Sequence, residues 1–160
     1  MQKITVLCIG KLKESYLREA CSEYVKRISR FADIKITELD EERMPESPSQ
    51  AQIDAAIRKE GERLISKIPS GAAVVAMCIE GGQQSSEQLA RTLQDYAVGG
   101  SSSVVFVIGG SWGLSDEVKR RAQLRLSMSK MTFPHQLARV MLCEQIYRAY
   151  QISSGGKYHK

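Results

Sequence analysis

The amino-acid sequence predicts an α/β protein with a mainly parallel sheet that carries helices on both faces. Three observations support this fold class. Short apolar runs alternate with amphipathic segments along the 160 residues, which is the order expected of βαβ units. Two of these runs, residues 72–82 and 103–110, are almost continuously apolar, as in strands buried on both faces. Both runs end at paired glycines, so a loop follows each strand directly.

The first half of the chain predicts two strands, each followed by a helix. ITVLCIG at 4–10 is rich in β-branched residues and ends at a glycine. Apolar residues within 17–28 then recur at helical spacing with charged residues opposite them, which indicates an amphipathic helix. IKITELD at 34–40 alternates as a half-buried strand does. After a polar loop, Ser49 is suited to cap a helix that extends to about Ile68.

The second half of the chain continues the alternation. Between the two buried strands, Ser85 or Ser86 is suited to cap a helix that ends at the paired glycines 99–100. After the second strand, Ser115 and the two acidic residues behind it predict the start of a short helix. LRLSMSK at 124–130 alternates and predicts the last strand.

From Pro134 to about Ile152 the sequence predicts a final helix that is apolar around most of its circumference. A helix of this kind is buried on more than one side. In a chain of this size, one side covers the sheet and another meets a second subunit, so the sequence predicts a homodimer through this helix. The alternative is a fully buried helix within a monomer.

The composition is typical of one soluble domain over residues 1–160, without a metal site. Hydrophobic residues make up 42% and charged residues 26% of the chain. The apolar runs are all much shorter than the roughly 20 residues that a membrane span needs. The four cysteines form no CxxC pair and there are only two histidines, so no structural zinc site is expected. These features predict reduced thiols in the core and a cytoplasmic location.

The positive charge is concentrated in the last third of the chain. Residues 111–160 contain nine Lys and Arg against three acidic residues, a net charge of +6, whereas residues 1–110 have a net charge of −1. This asymmetry indicates a surface that faces a polyanion. A merely solubilising face explains the same excess equally well.

The glycine-rich loop at 109–113 fits neither common nucleotide fingerprint. GGSWG does not satisfy GxGxxG, and no GxxxxGK[ST] occurs in the chain. Because the carboxyl ends of parallel strands line one crevice, we expect this loop to meet the loops at 77–82 and 128–133. Their methionines, phenylalanine, glycines and hydroxyls suit an adenosine pocket without a phosphate cradle. Taken singly, each loop is also explained by plain turn and core residues.

Several long stretches carry a family resemblance. FVIGGSWGLS is followed by LRLSMSKMTFPHQLARVMLCEQIYRAYQI and a closing KYHK, and the likeness begins at ITVLCIGKLKE. The whole chain resembles the bacterial ribosomal RNA large-subunit methyltransferase H family of the SPOUT class. The resemblance implies a C-terminal trefoil knot, an obligate homodimer and S-adenosylmethionine bound in a bent shape. It also implies methylation of N3 of a pseudouridine in 23S rRNA of the assembled ribosome.

The resemblance assigns the cofactor contacts to the ends of three strands. The positions that match the family's contacts are Met77, Gly109, Met128, Ser129, Lys130, Met131, Thr132 and Phe133. Met77 stands where relatives often have leucine, and it still offers an apolar cover for adenine. Gly109 is expected to admit the ribose or adenine against bare backbone. Trp112 lies where relatives vary, so no chemical role is expected for it.

The implied reaction requires loss of the N3 proton, either to a base or with local positive charge to stabilise the anion. The candidates for this catalytic role are His135, Arg139, Tyr158 and His159. His135 is equally explained as a helix-start or core residue, and the tail as a frayed terminus. The likeness of the closing YHK favours a tail that orders on RNA and completes the partner's site. Predicted phosphate contacts are Arg139, Lys157 and Lys160.

Two other functions fit the same residues. One is a non-catalytic RNA-binding ribosome assembly factor with a vestigial nucleoside pocket, and the other is a small-molecule methyltransferase. The first predicts RNA binding without methyl transfer. The second predicts turnover that does not depend on the basic residues near the C-terminus.

Overall fold

The computed structural model describes residues 1–158 and is built on one five-stranded sheet. The elements in chain order are β1 (Lys3–Ile9), α1 (Ser15–Ile28), β2 (Asp33–Leu39), α2 (Gln50–Ser66), β3 (Ala73–Gly82), α3 (Ser86–Val98), β4 (Ser103–Ile108), α4 (Asp116–Arg121), β5 (Leu124–Leu126) and α5 (His135–Ser153). The strand order is β2-β1-β4-β3-β5, and every paired strand is parallel. The predicted α/β class with a parallel sheet is confirmed.

Helices cover both faces of the sheet. On one face, α1, α3 and α5 pack against a core that includes Val6 and Phe106. On the other face, α2 and α4 pack against a core that includes Leu7 and Val105. Neighbouring residues of one strand enter different cores because side chains alternate across a strand. This double burial explains the continuous apolar runs in the sequence.

Serine caps begin three of the helices, as the sequence predicts. The Ser49 hydroxyl accepts a hydrogen bond from the backbone N–H of Gln52 at 3.2 Å, and the Gln52 side-chain oxygen accepts one from the backbone N–H of Ser49 at 2.8 Å. Ser85, rather than Ser86, caps α3 with the same reciprocal geometry. Ser115 caps α4. Each cap satisfies donors that the first turn of a helix leaves without partners.

The last helix lies between α1 and α3 on the sheet. Leu142, Cys143 and Ile146 are fully buried along its inner side, while Leu137 is 41% exposed. Flanking helices therefore account for much of the apolar circumference that the sequence shows. The homodimer through this helix stays a prediction.

The structure corrects the length of the last strand. The alternation at 124–130 predicts a strand of seven residues, whereas β5 has three. The Ser127 hydroxyl donates to the Ser129 carbonyl at 2.9 Å, and the Met131 N–H donates to the Ser129 hydroxyl at 3.1 Å. These local bonds compete with strand pairing and turn the chain into a loop. Pro134 is the N-cap of α5 rather than part of its first turn.

The cysteines are unpaired and mostly buried. All four cysteines are free; Cys8, Cys21 and Cys143 are buried and Cys78 is half-buried. Burial raises the pKa of Cys8 to about 12, so this thiol stays protonated and acts as a small apolar side chain. Within residues 1–158, none of the helices is long and apolar enough to cross a membrane.

Candidate active site

A cavity of about 750 Å³ opens where β3, β4 and β5 end. Its walls come from residues 77–80, 108–114, 126–129 and 131–135, together with Lys119 and Ala138. Parallel strands deliver their carboxyl ends to one edge of a sheet, so segments that are distant in sequence meet there. The volume lies within the range of about 300–1,000 Å³ that is usual for small-molecule sites.

Most of the residues that the sequence assigns to a cofactor line this cavity. The lining residues among them are Met77, Gly109, Met128, Ser129, Met131, Thr132 and Phe133. Lys130 is exposed and is not among the lining residues. Trp112 also lines the cavity and is 46% exposed. The three loops therefore share one site, with an apolar wall rich in methionine.

The glycine corner at 109–113 is fixed by close backbone packing. A Cβ atom on Gly109 would lie 2.7 Å from the carbonyl carbon and oxygen of Gly113. Gly113 has a φ of 89°, and its N–H donates to the Gly110 carbonyl at 3.1 Å. A side chain at 109 is thus excluded by the loop's own backbone, whatever the ligand. This packing is a reason for glycine that is independent of any ligand, and the expectation that Gly109 admits a ribose or adenine stays a prediction.

Four ionisable side chains contribute to the cavity wall within residues 1–158: Cys78, Glu80, Lys119 and His135. Glu80 and Lys119 form an ion pair, and the hydrogen bond from Lys119 lowers the pKa of Glu80. His135 is half-buried at the start of α5. Burial lowers the pKa of His135, and the nearby charge of Arg139 lowers it further. The neutral imidazole is therefore favoured at neutral pH.

Arg139 lies away from both the cavity and the solvent. It is 1% exposed, and its Nη1 lies 2.5 Å from Glu38 Oε2 while its Nη2 donates to the Gly10 carbonyl at 3.1 Å. Glu38 also accepts a hydrogen bond from the Leu12 N–H. The guanidinium therefore ties α5 to the ends of β1 and β2. The predicted phosphate contact and catalytic role of Arg139 do not fit this placement, because its charge is already compensated inside the protein.

A second cavity of about 380 Å³ adjoins the first. The two share the wall formed by Met77 and the segment 126–128. Glu144 lines the second cavity and accepts hydrogen bonds from Arg148 Nε at 3.1 Å and from the Tyr158 hydroxyl. The bond to Glu144 raises the pKa of Tyr158 to about 12. A carboxylate is thus held beside the pocket that the predicted cofactor residues line.

The sequence interpretation did not include Glu144 or Arg148 among the site residues. Their spacing of four residues is a usable signal, because such pairs face each other on a helix, and here they interrupt an otherwise apolar segment. The Arg148 guanidinium also lies 4.8 Å from the ring centroid of Tyr158. Lys157 is exposed. The candidates His159 and Lys160 lie outside the described residues.

A metal-dependent arrangement is not visible in the described part of the chain. Among residues 1–158, no three His, Cys, Asp or Glu side chains group so as to hold a metal ion. The cavity instead offers sulfur-containing and aromatic side chains with exposed loop backbone, the composition of a pocket for a flat, partly polar organic molecule.

Comparison with known proteins first defines the class. The family described as "Predicted SPOUT methyltransferase" matches residues 2–159. A probable methylase family protein from Haemophilus influenzae Rd KW20 has a similar structure, with a TM-score of 0.53 over 98% of this chain and 70% of that one. At 12% sequence identity, this likeness supports the fold alone.

Relatives that align over almost their whole length identify the group within this family. Ribosomal RNA large subunit methyltransferase H of Bifidobacterium animalis subsp. lactis is 52% identical over 158 residues, and that of Clostridioides difficile is 49% identical over 157 residues. Each alignment covers 98% of this chain and 99% of the relative. The chain belongs to the SPOUT methyltransferase family, and within it to the group of ribosomal RNA large subunit methyltransferase H proteins.

Proposed function

We propose that this protein uses S-adenosylmethionine to methylate N3 of a pseudouridine in 23S rRNA of the assembled ribosome. It acts in the cytoplasm as a single SPOUT methyltransferase domain over residues 1–160. The observation that carries the proposal is the pair of adjoining cavities, one lined by the predicted cofactor residues and the other by Glu144. The names of the relatives, which refer to large-subunit rRNA, supply the substrate class.

The first cavity fits the cofactor in chemistry and size. Met77, Met128 and Phe133 offer apolar and polarisable surface for an adenine ring, and the loop backbone around Gly109 offers polar groups for its edge. When bound, S-adenosylmethionine supplies an electrophilic methyl group. The protein's contribution is to hold donor and acceptor in a fixed, water-poor geometry.

The second cavity is proposed to receive the target base. The N3 proton has to leave, and the Glu144 carboxylate is the group in this cavity that can accept it. Tyr158 and Arg148 orient that carboxylate through hydrogen bonds. The guanidinium of Arg148 also provides positive charge close to the developing anion.

The RNA surface is proposed to use exposed cations near the C-terminus. Lys157 is exposed and belongs, with Lys160, to the tail predicted to order on RNA. Arg120 and Arg125 are also exposed, on α4 and β5. Phosphate contacts of this kind position an RNA substrate without reading its sequence. Arg139 has no part in this surface because it is buried.

A homodimer and a C-terminal trefoil knot complete the proposal. Both follow from the family, and exposed apolar residues such as Leu137 on α5 support the dimer. In a dimer, the tail of one subunit can complete the site of the other. Sedimentation of the intact protein tests the dimer, with a species of about 18 kDa as the contrary result.

The direct test is transfer of a labelled methyl group to ribosomes that lack the modification, with isolated rRNA assayed in parallel. We expect label at one pseudouridine of the assembled ribosome only. Cofactor binding without label on either RNA would indicate a different substrate. Ribosome binding without cofactor binding would support the non-catalytic assembly factor instead.

Deletion of residues 157–160 separates cofactor binding from RNA engagement. We expect the truncated protein to lose methyl transfer and to keep its affinity for the cofactor, because neither Lys157 nor Tyr158, the described residues of this segment, lines the first cavity. As a control, Lys59→Met removes a cation on the exposed side of α2 and should leave transfer unchanged. Equal loss of cofactor binding and transfer on truncation would contradict a separate RNA-facing tail.

A further inference from the structure

One carboxylate and one ammonium group meet at the wall of the first cavity. Glu80 and Lys119 both line it and form an ion pair with each other. Cys78 and His135 are the other ionisable lining residues within 1–158. Burial raises the pKa of the Cys78 thiol and lowers the pKa of His135, so both favour their neutral forms. The charged groups of the cavity are therefore one anion and one cation in contact.

The backbone fixes the position of Glu80. The pairing between β3 and β5 is interrupted between Met77 and Gly82, and residues 78–80 of the intervening segment line the cavity. Gly81 packs closely on β5, because a Cβ atom there would lie 2.7 Å from the Arg125 carbonyl. A bulge of this kind redirects a side chain. The result is that the Glu80 carboxylate faces α4 and Lys119.

The ion pair is exposed enough to exchange partners. The side chain of Glu80 is 58% exposed and that of Lys119 is 24% exposed. Exposed ion pairs contribute little to folding, so a ligand that offers the same two charges can replace it at small cost. In contrast, the pair between Arg139 and Glu38 is buried on the arginine side and is committed to the fold.

We propose that Glu80 and Lys119 recognise the amino-acid end of the cofactor. The Glu80 carboxylate accepts hydrogen bonds from the α-ammonium group, and the Lys119 ammonium donates to the α-carboxylate. This inference rests on the proposed use of S-adenosylmethionine. The amino-acid end is the part of that molecule that carries both signs of charge, whereas the ribose is neutral and the sulfonium is only positive. A zwitterion thus satisfies both members of the pair at once.

The test compares two nucleosides that are neutral at sulfur. S-adenosylhomocysteine has the amino-acid end, and 5′-methylthioadenosine lacks it. Titration calorimetry would measure both affinities for the full-length protein and for Glu80→Gln and Lys119→Met. Controls are Glu117→Gln and Arg91→Met, which change exposed residues outside the cavity.

We expect each cavity variant to bind S-adenosylhomocysteine about tenfold or more weakly, the size of a lost charged hydrogen bond. Binding of methylthioadenosine should change by less than about twofold. Equal weakening of both nucleosides would overturn the proposal, since it would indicate a ribose contact or a damaged fold. Unchanged affinities for both would overturn it as well.

The unmodified protein provides the check on the underlying function. If it binds neither nucleoside, the proposed use of S-adenosylmethionine fails together with the inference. If it binds both equally well, the cofactor site stands and the role of the ion pair is overturned. The two failures are therefore distinguishable before any activity is measured.

Discussion

Each end of α5 has an arginine in an ion pair with a glutamate, but the two pairs lie in different settings. Near its start, Arg139 is 1% exposed and bonds to Glu38, which lies 101 residues away in sequence. Towards its end, Arg148 pairs with Glu144 one turn away, and both side chains keep about a fifth of their surface in solvent. The first pair joins α5 to two strand ends, and the second stands beside a cavity.

This contrast shows why an arginine in a basic segment is weak evidence for nucleic-acid binding. Arg139 contributes to the net charge of the last third as much as Arg148 does, but its charge does not reach the surface. Burial and the long-range ion pair with Glu38 show that Arg139 stabilises the fold. Arg148 instead forms a local ion pair with Glu144, which lines the second cavity.

Replacement of the buried arginine should have the largest effect on stability. Arg139→Ala leaves Glu38 without its partner, and we expect a loss of about 3–5 kcal/mol in the free energy of unfolding. Arg148→Ala removes a more exposed pair and should cost less than about 1 kcal/mol. Urea denaturation measures both values. Similar losses for the two variants would break the comparison between the helix ends.

Replacement of the carboxylate at the other end should affect the reaction instead. Glu144→Gln removes the proposed proton acceptor, and we expect methyl transfer to fall about 100-fold or more. The unfolding free energy should stay within about 1 kcal/mol. Single-turnover transfer to ribosomes measures the rate, with Glu117→Gln as the exposed control. A variant that keeps the full rate would exclude Glu144 as the base.

A smaller effect on stability is expected at Glu60, a buried carboxylate that forms no ion pair with another residue of 1–158. Glu60 is 5% exposed and accepts the Glu42 N–H at 2.9 Å. Burial raises its pKa, so the charged form opposes folding above the ordinary value near 4.5, and this penalty disappears at lower pH. We expect Glu60→Gln to stabilise the protein by about 1 kcal/mol at pH 7 and not at pH 4.

The matched control for this effect is Glu62→Gln on the exposed side of the same helix. Thermal denaturation at the two pH values compares the variants. A loss of stability in Glu60→Gln at pH 7 would show that the carboxylate takes part in a favourable charge interaction, as Glu38 does.

The smallest expected effect concerns His135 at the start of α5. Because its pKa is lowered in the folded protein, the unfolded chain binds more protons as the pH falls below about 6.5. Stability therefore decreases with falling pH until the folded-state pKa is passed. We expect His135→Gln to reduce this loss between pH 6.5 and 5 by less than about 1 kcal/mol. Thermal denaturation across this pH range measures the effect. Identical curves of stability against pH for His135→Gln and the unmodified protein would contradict this expectation.

Local patterns in the sequence were sufficient for most of the fold. The serine caps at 49 and 115 act within one turn, so local sequence is enough to locate them, whereas it left Ser85 and Ser86 as alternatives for α3. The buried strands were evident because burial on both faces leaves no polar alternation. The end of β5 was missed because hydroxyl bonds around Ser129 compete with strand pairing, and an alternating pattern does not reveal that competition.

The sequence predicted the part of the site that is formed by loops at the ends of parallel strands. The loops at 77–82, 109–113 and 128–133 meet because the sheet is parallel, which the alternation of elements indicates. The burial of Arg139 depends on Glu38, and the ion pair of Glu80 depends on a bulge in β3. Both features arise from contacts between distant segments, so residue type and local spacing could not distinguish them.

The packing of Gly109 against Gly113 has a consequence for how this site can change over time. A corner whose shape depends on the absence of a side chain cannot be adjusted in small steps, because even the smallest side chain meets backbone. Variation in ligand preference therefore has to arise on the opposite walls, where methionines tolerate substitution. The 109–113 loop therefore keeps its shape while the other residues that line the pocket can be substituted.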